Sequence, residues 1–169
     1  MLVTSAKAAK ILRQLNDELS TLQLREQNSS SFVAAIQEDI GSVRPAYSFG
    51  EMREAQAEVE RKIRKVKHAV NVFNTTTLVP DFNITIDEML VYLPQLNRQC
   101  QILSGMRDAM PKTRVSSGYS GGGSIIDYKY ANYDIEEAGK RYTELADTLA
   151  RAQTALDLVN STVEFEIDI

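Results

Sequence analysis

The sequence predicts a mainly α protein: four long amphipathic helices in a bundle or coiled-coil-like arrangement, with a small β-hairpin element. Three observations carry this. Apolar residues recur at alternating steps of four and three over long stretches, which holds them on one helix face. Capping motifs stand at the start of these stretches. The 169 residues are 43% hydrophobic and 25% charged, a composition that folds around a core. A chain of this length reads as one helical domain over 1–169.

The first helix is expected over about 4–27. Ala8, Leu12, Leu15, Leu19 and Leu22 form its stripe, and Thr4 or Ser5 caps it by accepting from a free backbone N–H. Asn28-Ser29-Ser30-Ser31 reads as a loop, 32–37 as a short strand, and Gly41 to Tyr47, with Pro45, as a connection. The second helix is expected over about 48–74. The capping box Ser48-x-x-Glu51 opens it, and Met52, Ala55, Val59, Ile63, Val66, Val70 and Phe73 share one stripe.

A second box, Thr85-x-x-Glu88, opens a helix over about 85–109, with Ile86, Leu90, Leu93, Cys100 and Leu103 on its apolar face. Pro94 lacks an N–H and crowds the preceding turn, so a kink is expected there. The Gly/Ser-rich stretch 114–124 reads as a flexible hairpin tip. Strands are expected over about 115–119 and 125–133. The second alternates Ile126, Tyr128 and Tyr130 against Asp127 and Lys129. It pairs either with 32–37 or back on 115–119. Asp134-x-x-Glu137 then caps a last helix over about 134–162, whose seam of Ala138, Tyr142, Leu145, Leu149, Ala152, Leu156, Val159 and Val163 is the clearest heptad repeat. Helices of this length are rods of about 36–42 Å, which pack side by side. A narrow seam on a long rod leaves surface for a further partner, so a homo-oligomer is expected.

The net charge of −4 and pI near 5.1 do not favour a broad nucleic-acid-binding surface. Cys100 is the single cysteine, which fits a reducing compartment, and Met1 to Lys10 holds no apolar core of a secretory signal. A cytoplasmic location is the expectation. The longest strictly apolar run, Met89 to Leu93, is far too short to span a membrane.

Reactive groups are sparse. His68 is the only histidine, which limits triad chemistry and excludes a two-histidine metal site. It reads as a boundary residue near a helix end. Cys100 on an apolar stripe reads as a small packed hydrophobe. Gly121-Gly122-Gly123 lacks the Lys-Ser/Thr pair of a phosphate-binding loop. Arg61, Lys62, Arg64, Lys65 and Lys67 form the one basic cluster. With Glu58→Lys62 and Glu60→Arg64 at favourable spacing, it reads as a solvated face. No catalytic residue, metal ligand or cofactor is indicated. Asn71, Asn74 and Thr77 are the most distinctive polar set: helix-end caps, a subunit interface or, with added groups, a ligand site.

That set lies in Val70-Asn71-Val72-Phe73-Asn74-Thr75-Thr76-Thr77, an Asn-x-x-Asn-x-x-Thr pattern at a helix end. Ile126-Asp127-Tyr128-Lys129 follows, leading through Tyr133-Asp134-Ile135 into the final helix, which ends in Asn160-Ser161-Thr162-Val163-Glu164. In this order the motifs resemble the septicolysin-like family of bacterial proteins of largely unknown function. Ser161 stands where the family pattern has a tryptophan. The resemblance implies a long-helix fold with a β-hairpin insertion, and it adds Asn160 to the candidate polar site or interface. The expected function is a non-enzymatic oligomeric scaffold or interaction module. The haemolysin in the family name implies the alternative, a membrane-active protein with the hairpin near Tyr119 as its inserting element. The third reading is an enzyme with a site at a subunit interface near Asn71 and Asn74.

Overall fold

Helix-forming stripes become five helices, joined by six short strands, in the computed structural model, which describes residues 1–115 and 127–169. In order these are β1 (Leu2–Thr4), α1 (Ser5–Ser29), α2 (Ile40–Val43), α3 (Phe49–Thr76), β2 (Leu78–Val79), β3 (Ile84–Thr85), α4 (Ile86–Arg107), β4 (Lys112–Arg114), β5 (Tyr128–Tyr130), α5 (Ile135–Thr162) and β6 (Glu164–Glu166). The fold is mainly α with small antiparallel strand pairs. The chain divides into two units: one of residues 1–77 and 158–169, the other of 78–157.

In the first unit α1 and α3 lie antiparallel. Val3, Ala8, Leu15, Val59, Ile63, Val66 and Ile167 form the core between them, flanked by Leu12, Leu19, Leu22 and Val70. Those are the expected stripes of the two helices, joined by two residues from the ends of the chain. The joining device is β1–β6, an antiparallel pair in the register Leu2↔Glu166, Val3↔Phe165, Thr4↔Glu164, which has no local sequence signal. It drops Val3 and Ile167 into the core, and Phe165 stacks on Phe73 with ring centroids 4.5 Å apart. Thr4 caps α1, accepting from the Lys7 N–H at 3.3 Å.

The expected strand at 32–37 does not form. Residues 31–35 belong to no helix or strand, and the chain turns after them, with the Glu38 carboxylate accepting from the Ala35 N–H at 2.8 Å. A lone strand needs a ladder partner, and none of the described segments supplies one here. The one-turn helix α2 follows, its start satisfied by Asp39. Ser48 does stand at the N-cap of α3, but its hydroxyl makes no capping hydrogen bond, so the box expected with Glu51 is absent.

In the second unit β2 and β3 form a hairpin leading into α4. Its turn is built by Asp81 (φ 67°) and Asn83 (φ 54°), residue types that tolerate the left-handed region. The Thr85–Glu88 capping box is complete: Glu88 N–H donates to Thr85 Oγ1 at 3.2 Å, and the Glu88 carboxylate accepts from the Thr85 N–H at 2.8 Å. Helix α4 continues through Pro94, and its buried residues are Ile86, Met89 and Leu96. The expected stripe is thus turned slightly. Leu90 is 48% exposed, while Leu93, Cys100 and Leu103 are half-buried.

The start of α5 runs back along the end of α4: Arg107 lies 3.9 Å above the Tyr142 ring and the Tyr133 hydroxyl donates to Met106 O at 2.9 Å. Asp134 caps α5, accepting from the Glu136 and Glu137 N–H groups. The α5 seam is buried at Ala138, Ala152, Leu156 and Val159 and half-buried at Tyr142, Leu145 and Leu149, while Val163 is exposed.

The later strand does fold back rather than pair with 32–37, but further from the tip than expected. β5 pairs with β4 in the register Lys112↔Tyr130, Thr113↔Lys129, Arg114↔Tyr128. Lys112 Nζ, 4.0 Å from the Tyr128 ring, adds a cation–π contact. Of the expected strands, residues 115, 127 and 131–133 belong to no strand, because the ladder with β4 spans only three residues; 116–119, 125–126 and most of the Gly/Ser-rich stretch lie outside the described residues.

Candidate functional site

The sequence-derived polar set sits at helix ends. Asn71 is exposed; Asn74 and Asn160 are half-buried. Thr77 is the C-cap residue of α3, its N–H donating to Phe73 O at 2.9 Å. Among the described residues no hydrogen bond joins the side chains of these four. The α3 carbonyls are met instead by threonines: Thr75 Oγ1 donates to Asn71 O at 2.9 Å and Thr76 Oγ1 to Val72 O at 2.7 Å. These are i−4 back-bonds within the helix, which leave the asparagine amides without a part in them. His68 is exposed and Cys100 half-buried.

The basic cluster behaves as a solvated, paired face. Arg61 grips Glu58 with two bonds at 2.7 and 2.9 Å, Lys62 stands 4.0 Å from the same carboxylate, and Lys65 pairs with Asp168 at 2.9 Å. Glu58 and Asp168 are held below the usual carboxylate range, chiefly by the bonds from Arg61 and Lys65. The Glu60–Arg64 pair does not form among the described residues.

Two features had no sequence signal. The first is a polar knot in the first unit. Glu26, near the end of α1, accepts from the Tyr47 hydroxyl at 3.2 Å, from Gln56 Nε2 at 2.9 Å and from Arg53 Nη2 at 2.6 Å. Arg53 also bonds Gln56 Oε1. Gln56, only 5% exposed, is the one buried polar side chain among the described residues, and its amide is satisfied on both sides. The Gln56 bond is the largest cause holding the Glu26 carboxyl below its ordinary range; partial desolvation works against it. The same loss of solvent, with the Glu26 bond, raises Tyr47. The bonds to Glu26 join residues 21 to 30 positions apart, so no local spacing announces them. A depression of about 340 Å³ adjoins it, lined by Leu22, Arg25, Tyr47, Ser48, Glu51 and Met52 among others.

The second is an open groove of about 530 Å³ in the second unit, where the β2–β3 turn meets the first turns of α4. Phe82, Ile84, Val91 and Tyr92 supply apolar walls, with Asp87 and Gln95 at the rim. Glu88 also borders it, but its carboxylate is committed to the cap, and the Thr85 N–H bond holds it below its ordinary range. Its lining is mainly apolar. It brings together no nucleophile with a base, and among the described residues no group of three metal-ligating side chains converges.

No helix among the described residues is long and apolar enough to cross a membrane. No protein-family model matches the chain, and no curated protein does. Among solved structures it is similar to the crystal structure of a functionally unknown conserved protein from Corynebacterium diphtheriae, at 16% identity and a TM-score of 0.55, over 98% of this chain and 100% of that one. At that identity the likeness shows the fold.

Proposed function

We propose that this chain is a non-enzymatic helical protein that works by self-association, as an oligomeric scaffold or interaction module. The observation that carries the reading is the bare apolar side chains on both units. In the first, Val33 and Ile36 are 95% and 105% exposed, with Phe32, Ile40 and Phe49 partly bare beside them in sequence. In the second, Val91 and Ile102 are 59% and 53% exposed on α4, which also walls the apolar groove. Burying a side chain of this size yields about 1.5–3 kcal/mol, so a few of them drive association once the entropy of docking is met. Scattered single hydrophobics are ordinary on a surface; several within one short segment are not.

Kinship with the septicolysin-like family belongs to the same proposal. The Asn71, Asn74, Thr77 and Asn160 motif residues stand at the ends of α3 and α5, where they are available to an interface. Sedimentation equilibrium over a hundredfold range of protein concentration tests the reading. A mass that rises to a fixed multiple of 18.9 kDa is expected. A mass that stays at one chain throughout overturns it.

A further inference from the structure

The β4–β5 ribbon sorts its side chains by chemistry. Residues opposite each other in an antiparallel pair share a face, and neighbours along a strand alternate. The register Lys112↔Tyr130, Thr113↔Lys129, Arg114↔Tyr128 therefore puts Lys112, Arg114, Tyr128 and Tyr130 on one face. Lys112 Nζ agrees, lying 4.0 Å from the Tyr128 ring and 5.5 Å from the Tyr130 ring. Pairing runs one residue further, with the Val115 N–H donating to Asp127 O at 2.9 Å. Asp127, next to Tyr128, thus falls on the opposite face with Thr113 and Lys129. The first face carries two cations, two phenol rings and, among the described residues, no carboxylate.

This face is open. Tyr128 and Tyr130 are 44% and 61% exposed, and Lys112 and Arg114 are exposed beside them. Among the described residues no ion pair engages Lys112 or Arg114. The foot of the ribbon is tied down: the Ala131 N–H donates to Pro111 O at 3.1 Å, and the Tyr133 hydroxyl holds Met106 O at the end of α4. We infer that this face binds single-stranded nucleic acid, with Tyr128 and Tyr130 stacking on bases and Lys112 and Arg114 taking phosphates. The inference goes beyond self-association and uses a surface that reading does not.

Charge and side-chain type select this occupant. Three cations stand on the ribbon against the single acid Asp127, and that acid is on the other face, so the tyrosine side is complementary to an anion. The rings ask for flat partners as well. An acidic peptide brings charge without them, and a duplex keeps its bases stacked inside. An anionic bilayer asks for aliphatic side chains to insert, and this face shows none. A strand with free bases brings both negative charge and flat π faces. The chain as a whole carries a charge of −4, which repels a polyanion at long range, so the contact is local, modest in affinity and weakened by salt.

Fluorescence anisotropy of a labelled oligothymidylate of about 12 nucleotides, within the site sizes of such platforms, tests this on the intact chain. Binding is expected at low salt with a Kd below about 100 µM. The plot of log K against log salt concentration is expected to slope at about −1.4, from roughly 0.7 for each of the two phosphates neutralised. Lys112→Glu with Arg114→Glu should abolish binding. Tyr128→Val with Tyr130→Val should weaken it by about tenfold or more, since valine suits a strand but removes the ring. Arg64→Ala, in the basic cluster of α3, should bind as the wild type does.

No binding with protein up to about 100 µM at low salt overturns the inference. So does full affinity in the charge-reversed pair, or a loss in Arg64→Ala that this pair does not show. Equal affinity for the double-valine variant, or for an oligothymidylate already paired in a duplex, overturns the stacking and leaves a contact of charge alone. Attachment to phosphatidylglycerol vesicles that the oligonucleotide cannot compete away overturns it in favour of a lipid surface.

Discussion

The Tyr47 hydroxyl donates to Glu26 at 3.2 Å, and through that bond the end of the long connection between α1 and α3 is tied to the last turns of α1. Gln56 and Arg53 converge on the same carboxylate from α3. One carboxylate of α1 thus gathers donors from the end of the connection and from α3.

The knot makes the first unit sensitive to acid. The folded state holds the Glu26 carboxyl below its unfolded value, so the stability it contributes is full above about pH 4.3, the ordinary glutamate value, and is lost as pH falls toward the folded value. Glu58, Glu88 and Asp168 are shifted in the same direction, so the wild type and Glu26→Gln both weaken in acid. Urea midpoints between pH 6 and 3 should fall less steeply for Glu26→Gln. Equal slopes would show that the knot does not titrate as described.

The turned stripe of α4 separates two leucines six residues apart. Leu96 is 1% exposed and Leu90 is 48% exposed. Leu96→Ala should cost about 2–5 kcal/mol through lost burial and the cavity left behind. Leu90→Ala should stay within about 0.5 kcal/mol in the single chain. Urea unfolding of the two variants decides this, and a costly Leu90→Ala would place that residue in an interface or a core.

Two helix starts that look alike in sequence should respond differently. Thr85→Ala breaks a formed capping box and should cost about 0.5–2 kcal/mol. Ser48→Ala removes a hydroxyl that makes no capping bond, and its cost should be a few tenths at most, about the scale of an ordinary surface change. Thermal unfolding of both variants checks the contrast.

An assembling scaffold should leave bilayers intact. Dye-loaded liposomes of varied headgroup charge should retain their contents in the presence of the protein. Release that disappears when 116–126 is replaced by a short Gly/Ser linker would instead favour the membrane-active alternative.

What the residues settle alone is local. Steps of three and four fix which face of α1, α3 and α5 is buried, and Thr85 with Glu88 fixes where α4 begins, because a helix repeats every 3.6 residues and its free N–H groups need acceptors within one turn. Single positions were less legible. Leu90 and Met89 are both apolar neighbours on α4, and only contact decides which of them goes inside.

The tertiary structure decided everything that joins distant residues. It paired Leu2–Thr4 with Glu164–Glu166, gathered Glu26, Tyr47, Arg53 and Gln56, set Phe82 and Val91 about one open groove, and left 32–37 without a strand partner among the described residues. The physical reason is common to all of these. A helix satisfies its own backbone, so its sequence suffices to place it, whereas a strand, an ion pair or a cavity wall is completed by a group elsewhere in the chain that no local pattern identifies.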